Sequence, residues 1–160
     1  MKQFTILVLS YFFVVFMSLC FVGCTPDPFP ETLPRVDLPT PQGQSRVIVD
    51  DIITVNSDEL LDLHFDVNVM NMHNVRAVGW FMASGGSRND IKVLILDDID
   101  FINWENLHEV EGVYKSGKLT IGKIDVPITA SGKYHLIFDN RFSEFSSKNV
   151  LAKVYLFWSE

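Results

Sequence analysis

The chain has 160 residues, 48% of them hydrophobic and 21% charged, with a formal net charge of −7 at pH 7. That length allows one domain behind an N-terminal extension. The acidic balance repels phosphate and anionic headgroups, so nucleic acid is not expected as a partner and surface charge does not supply membrane affinity.

Lys2 is the only charged residue in the first 23, and Phe4 to Val22 carries none. Ile6, Leu7, Val8, Leu9, Phe12, Phe13, Val14, Val15 and Phe16 make this run strongly apolar, as in an export signal. Its length, near the roughly 20 residues that span a bilayer, also suits a retained transmembrane helix. A signal cut without lipidation is a further reading. Phe21-Val22-Gly23-Cys24 closes the run and resembles a lipoprotein signal ending. Gly23 is small enough for a peptidase to cut behind it, and Cys24 offers a thiol for a diacylglyceryl group. Phe21 stands where leucine is the commoner residue. The proline-rich stretch that follows at once favours the lipoprotein reading. Residues 1–23 are then a signal peptide, and Cys24 is a lipidated N-terminus holding the protein in the cell envelope, outside the cytoplasm. A diacylglyceryl group plus an N-acyl chain meets the requirement of more than one chain for stable anchoring. Cys20 leaves with the signal and lipid occupies Cys24, so no disulfide is expected within the domain. Without Lys2 the mature chain sets 12 basic against 20 acidic residues, a net of −8.

Residues 24–45 read as a tether. Pro26, Pro28, Pro30, Pro34, Pro39 and Pro41 lie here, and Pro127 is the one other proline. Proline removes a backbone donor and fixes φ, which keeps this segment out of a sheet interior and favours polyproline II. At about 3.1 Å per residue it reaches roughly 60 Å when fully extended. A ligand for a proline-recognising module is the sharper alternative. A spacer is the simpler reading, because no such partner is implied outside the cytoplasm.

Residues 46–160 alternate with period two, the signature of half-buried strands. An opening strand runs near Arg46 to Val55, followed by Asn56-Ser57-Asp58 as a turn. Leu61, Leu63, Phe65 and Val67 then alternate with Asp62, His64 and Asp66. Ser84-Gly85-Gly86-Ser87-Arg88-Asn89 divides Val75–Ala83 from Asp90–Leu96. Asp100 to His108 is the one stretch expected to form a short helix. Lys115-Ser116-Gly117-Lys118 reads as a turn before a strand from Leu119 that includes Ile124, Val126 and Ile128. Ala130-Ser131-Gly132 reads as a hairpin turn into Tyr134, Leu136 and Phe138. Val150, Ala152, Val154, Leu156 and Trp158 form the last row. The expectation is an all-β antiparallel sandwich of seven or eight strands, of Greek-key or jelly-roll type.

Gly132-Lys-Tyr-His-Leu-Ile-Phe-Asp-Asn-Arg-Phe-Ser143, followed by Lys148 and a strand, resembles the GOLD β-sandwich domain family. Val78-Gly79-Trp80-Phe81, Ser84-Gly85-Gly86, Asp90-Ile91 and Phe101-Ile102-Asn103-Trp104 fit it as well, so the likeness covers roughly residues 46 to 158. It implies a fold more than a function. The cargo-receptor members usually carry a cysteine pair, which residues 46–160 lack, and a coiled coil and membrane span after the domain, so their role is not expected to transfer. The motif residues also have physical roles of their own. Gly132 permits a tight turn, while Tyr134 and Phe138 fill the core. Asp139 and Asn140 end the strand by bonding nearby backbone, and Ser143 and Lys148 brace the following loop.

Asp97-Asp98-Ile99-Asp100 is the best candidate metal site, because calcium wants several oxygen ligands and clustered aspartates supply them. The run lacks the further oxygens and the spaced glutamate of a full calcium loop, so strand-end and capping roles are expected instead. Trp104, in the same acidic connection, could stack on a sugar. Packing is the simpler role for it and for Trp80 and Trp158. His64, His73, His108 and His135 are scattered and form no zinc motif. No Gly-x-Ser-x-Gly elbow occurs, and abundant acids alone do not indicate glycoside hydrolysis. Tyr155 and Phe157 give the last strand a second apolar face, either covered or open to a partner. The leading expectation is a lipid-anchored, non-enzymatic interaction or structural module with no cofactor and a protein or glycan partner. The alternative is a small carbohydrate- or calcium-binding module.

Overall fold

The computed structural model describes residues 43–159. Eight strands and one helix follow in the order β1 (Gln44–Val55), β2 (Leu60–Val67), β3 (His73–Ser84), β4 (Ile91–Asp97), α1 (Asp98–Glu105), β5 (Tyr114–Leu119), β6 (Ile121–Pro127), β7 (Gly132–Asp139) and β8 (Lys148–Ser159). They form two four-stranded sheets, ordered β1-β8-β3-β6 and β2-β7-β4-β5, in which every pairing is antiparallel. This is the jelly-roll order, an all-β sandwich as the alternation predicts.

The period-two rows face the interior. Along β8, Val150, Ala152, Val154 and Leu156 are fully buried, while the residues between them are half-exposed. Tyr134, Leu136 and Phe138 of β7 and Val93 and Ile95 of β4 meet them from the other sheet within one cluster. Phe81 and Phe138 are the largest fully buried side chains there. Each contributes on the order of 1.5–3 kcal/mol by leaving water.

Several boundaries differ from the sequence expectation, and the strand expected from Leu119 starts instead at Ile121, Leu119 being the end of β5. β1 begins at Gln44, two residues inside the segment assigned to the tether. Lys115–Lys118 is not a turn but the body of β5. The register slips between Lys92 and Leu94, so two residues of β5 oppose one of β4. Gly117, at φ +65°, occupies that bulge, and Ser116 Oγ accepts from the Val93 amide at 2.8 Å. A bulge and a turn need the same residues, hence the misreading. Ala130-Ser131-Gly132 is not a hairpin, since β6 and β7 lie in different sheets and the chain crosses between them. The helix spans Asp98–Glu105 rather than Asp100–His108. Asp97 caps its start, and Leu107, at φ +64°, takes the chain out of helical geometry just beyond its end.

The signal, Cys24 and the tether up to residue 42 lie outside the described residues. No helix among the described residues is long and apolar enough to cross a membrane.

Candidate functional site

Helix α1 lies against the outer face of the β2-β7-β4-β5 sheet. Leu94 and Leu96 of β4, Ile137 of β7 and Val110 form a second, smaller apolar cluster there, with Leu60, Phe101 and Trp104 packed against it. Trp104 is half-buried, and the Arg141 guanidinium lies 4.2 Å from its ring centroid. One face of the indole is thus already occupied by a cation, which is not the open platform a stacked sugar needs.

The three aspartates are drawn apart. Asp97 Oδ1 accepts from the Asp100 amide at 2.8 Å, the N-cap bond of α1. Asp100 Oδ2 accepts from the Gly112 amide at 3.1 Å and so ties down the loop after the helix. Asp98 Oδ1 lies 3.2 Å from His135 Nε2 and 3.8 Å from Lys133 Nζ. Among the described residues no three His, Cys, Asp or Glu side chains converge to hold a metal ion. Two acidic residues in the first turn also complement the helix dipole.

His135 is the polar centre that sequence reading missed. It is buried on the outer face of β7, with Nδ1 2.9 Å from Asp62 Oδ2 and Nε2 beside Asp98. Phe101 stacks on the ring at 4.0 Å with 8° between planes. Neither nitrogen is left to take a proton from a substrate. The imidazole ties β2, β7 and α1 together. In the sequence these residues stand 73 and 37 positions apart. The only local signal was that Asp62 and His135 occupy outward positions of their strands.

The Gly132–Lys148 motif separates into three parts. Gly132 opens β7 with free space where a Cβ would stand. Tyr134 is buried beside Phe65 and donates its hydroxyl to Ala130 O at 3.0 Å. Burial pushes its pKa above the ordinary tyrosine value, the charge of Asp97 adds to this, and the bond to Ala130 opposes it. Beyond the strand, Asp139 Oδ1 accepts from the Arg141 amide at 3.0 Å and from Arg141 Nε at 3.1 Å. The Asn140 side-chain Nδ2 donates to Asn56 O and Ser146 O at 2.9 Å each, and Ser143 Oγ donates to Ser146 O at 2.9 Å. Lys148 is buried, with Nζ donating to Gly85 O at 2.9 Å and Asp90 Oδ1 at 3.2 Å.

On the outer face of the other sheet, Trp80 is buried between its cross-strand neighbours Lys123 and Lys153. Tyr155 and Phe157 stand beside this stripe, half-exposed, with ring centroids 6.1 Å apart. Tyr155 donates to Asp50, and this bond together with Lys153 holds the Asp50 carboxyl below its ordinary range. Trp158 packs against the main core from the end of β8.

No family model and no curated protein matches the chain.

Proposed function

We propose that the chain is a lipid-anchored cell-envelope protein whose β-sandwich is a non-enzymatic interaction module. The observation that carries this reading is the outward side of α1. Ile99 is 73% exposed, Ile102 53% and Leu107 89%, and the helix buries none of its residues completely. Ile99 and Ile102 are three apart, so they share one side of the helix. Exposed Asp98, Glu105, Glu109 and Glu111 lie on the same stretch of chain. An apolar ridge on an acidic stretch suits a partner protein presenting an apolar patch edged by lysine or arginine. The absence of a free nitrogen on His135 and the separate structural uses of Asp97, Asp98 and Asp100 argue against catalysis at this place. The lipid on Cys24 and the tether would carry the domain on the envelope membrane.

Affinity purification of the full chain from its own envelope tests the reading. Ile99→Asp/Ile102→Asp should lose a co-purifying protein that the wild type retains, with an unchanged far-UV spectrum. An identical set of bound proteins for wild type and variant rules out the ridge as the interaction surface.

A further inference from the structure

At the end of the sandwich remote from Gln44 lies a polar cleft of about 210 Å³. The β3–β4 loop walls one side, the β7–β8 loop another, and Lys118 of β5 closes a third. Its floor is the buried Lys148 ammonium. Two of its three N–H groups go to Gly85 O and Asp90 Oδ1, which leaves the third without a partner among the described residues. Gly86 borders this floor at φ +68°, and a Cβ there would lie 3.0 Å from Nζ and 3.1 Å from Ser146 Cβ. A side chain at that position would crowd the ammonium.

The walls are fixed. Asn89 Oδ1 accepts from the Gly85 amide at 2.8 Å. The Asn140 side-chain amide and the Ser143 hydroxyl hold the opposite loop through Ser146 O. The cleft therefore does not have to be ordered by a ligand, which lowers the entropic cost of binding.

Its charge is unbalanced. Asp90 is answered by Lys148. Arg88 and Lys118 also line the cleft, and neither meets a carboxylate among the described residues. Lys118 instead lies over the Phe142 ring at 4.1 Å. In a chain of net charge −7, two uncompensated cations line one small cleft. Ser87 and Ser146 line it too and offer hydroxyl donors. The long-range field of the chain opposes an anion, but a screening length of about 8 Å at physiological salt leaves the decision to local groups.

We infer that this cleft binds a soluble phosphate monoester. Such a group carries about −1.5 to −2 charges at pH 7, which matches two free cations, whereas a carboxylate would leave one uncompensated. The Arg88 fork can hold two phosphate oxygens at once. The assignment to a soluble ester rests on the reading of Cys24 as the anchor, because the cleft opens at the end of the sandwich remote from the N-terminal entry. The 12 residues of β1 run from Gln44 to Val55, whose carbonyl the Asn140 side-chain amide meets beside the cleft. At about 3.3 Å per residue this strand sets the cleft roughly 40 Å from the point where the N-terminal segment enters. The site is independent of the ridge on α1, which lies on the outer face of a sheet.

Calorimetric titration of the full chain in a neutral detergent and phosphate-free buffer tests the site, with glycerol 3-phosphate, inorganic phosphate and acetate as probes. Glycerol 3-phosphate should saturate with a dissociation constant of about 1 mM or below, and acetate should bind at least about tenfold more weakly. Arg88→Ala and Lys118→Ala should each weaken the ester by about tenfold or more, with Arg88→Lys retaining part of the affinity. Both side chains are exposed, so the urea midpoint should stay at the wild-type value and separate lost binding from lost folding. Lys153→Ala, on the outer face of the other sheet, should bind as the wild type does. Absence of saturation in the wild type, equal affinity in Arg88→Ala and Lys118→Ala, or acetate binding as tight as the ester would each overturn the site. Inorganic phosphate binding more tightly than glycerol 3-phosphate would overturn the assignment to an ester.

Discussion

Lys148→Met removes an ammonium from the interior while keeping most of the side-chain length. The Lys148 side chain is 3% exposed and that of Asp90 13%, with 3.2 Å between Nζ and Oδ1. Taking away one member of a buried ion pair costs about 3–5 kcal/mol, because the other charge stays buried without compensation. Water can reach the slightly exposed Asp90, so the lower end of that range, about 3 kcal/mol, is expected. Gly85 O also loses its donor, which is part of the same cost. A domain of this size has about 5–15 kcal/mol in total, so the urea midpoint should fall by a fifth or more. Neutralising the stranded partner should then help: Lys148→Met/Asp90→Asn should regain about 1 kcal/mol or more over Lys148→Met alone. The assay is equilibrium urea unfolding followed by tryptophan fluorescence for wild type, both single variants and the double. If Asp90→Asn lowers stability equally in the wild-type and Lys148→Met backgrounds, the two groups are not coupled and the reasoning is refuted.

Tyr134→Ala should cost about 3–5 kcal/mol, since the ring is buried against Phe65 in the main cluster; an unchanged denaturant midpoint would contradict that packing. Burial raises the pKa of both Tyr114 and Tyr134. Unfolded tyrosines lose their protons near pH 10 and these two lose them later, so their contribution is complete below about pH 10 and declines as pH rises through the raised values. A urea midpoint that falls in this range, and falls less steeply in Tyr134→Phe, is the expected result; a flat profile counts against it. Calcium in excess should leave the melting temperature unchanged, because Asp97, Asp98 and Asp100 are separately engaged with Asp100 N, His135 and Gly112 N. A stabilising shift lost in Asp97→Asn/Asp100→Asn would reverse that conclusion. Cys24→Ser should abolish labelling by a fatty-acid analogue and release the domain from membranes or block signal removal, whereas unchanged labelling would end the lipoprotein reading.

The alternation of apolar and polar residues determined which side chains enter the core. Tyr134, Leu136 and Phe138, and the row from Val150 to Leu156, are buried as their spacing requires. A strand turns successive side chains to opposite faces, so this assignment is local and survives ignorance of the partner strand. The strand-ending role of Asp139 and Asn140 was legible for a similar reason: short polar side chains reach nearby backbone. Strand pairing was not legible. Seven connections join the eight strands, and only that from β4 to β5 stays within one sheet. Which strand lies beside which depends on the whole set of faces to be covered, and no short window contains it. The same non-local placement made Ser116-Gly117 a bulge rather than a turn, since the bulge exists only against β4. It brought Asp62, His135 and Asp98 together from three elements. It also brought Arg88, Lys118 and Lys148 from three separate stretches to one end of the sandwich. Composition could report only a net negative chain, because a local excess of positive charge arises when distant loops meet, and meeting is a property of the tertiary structure.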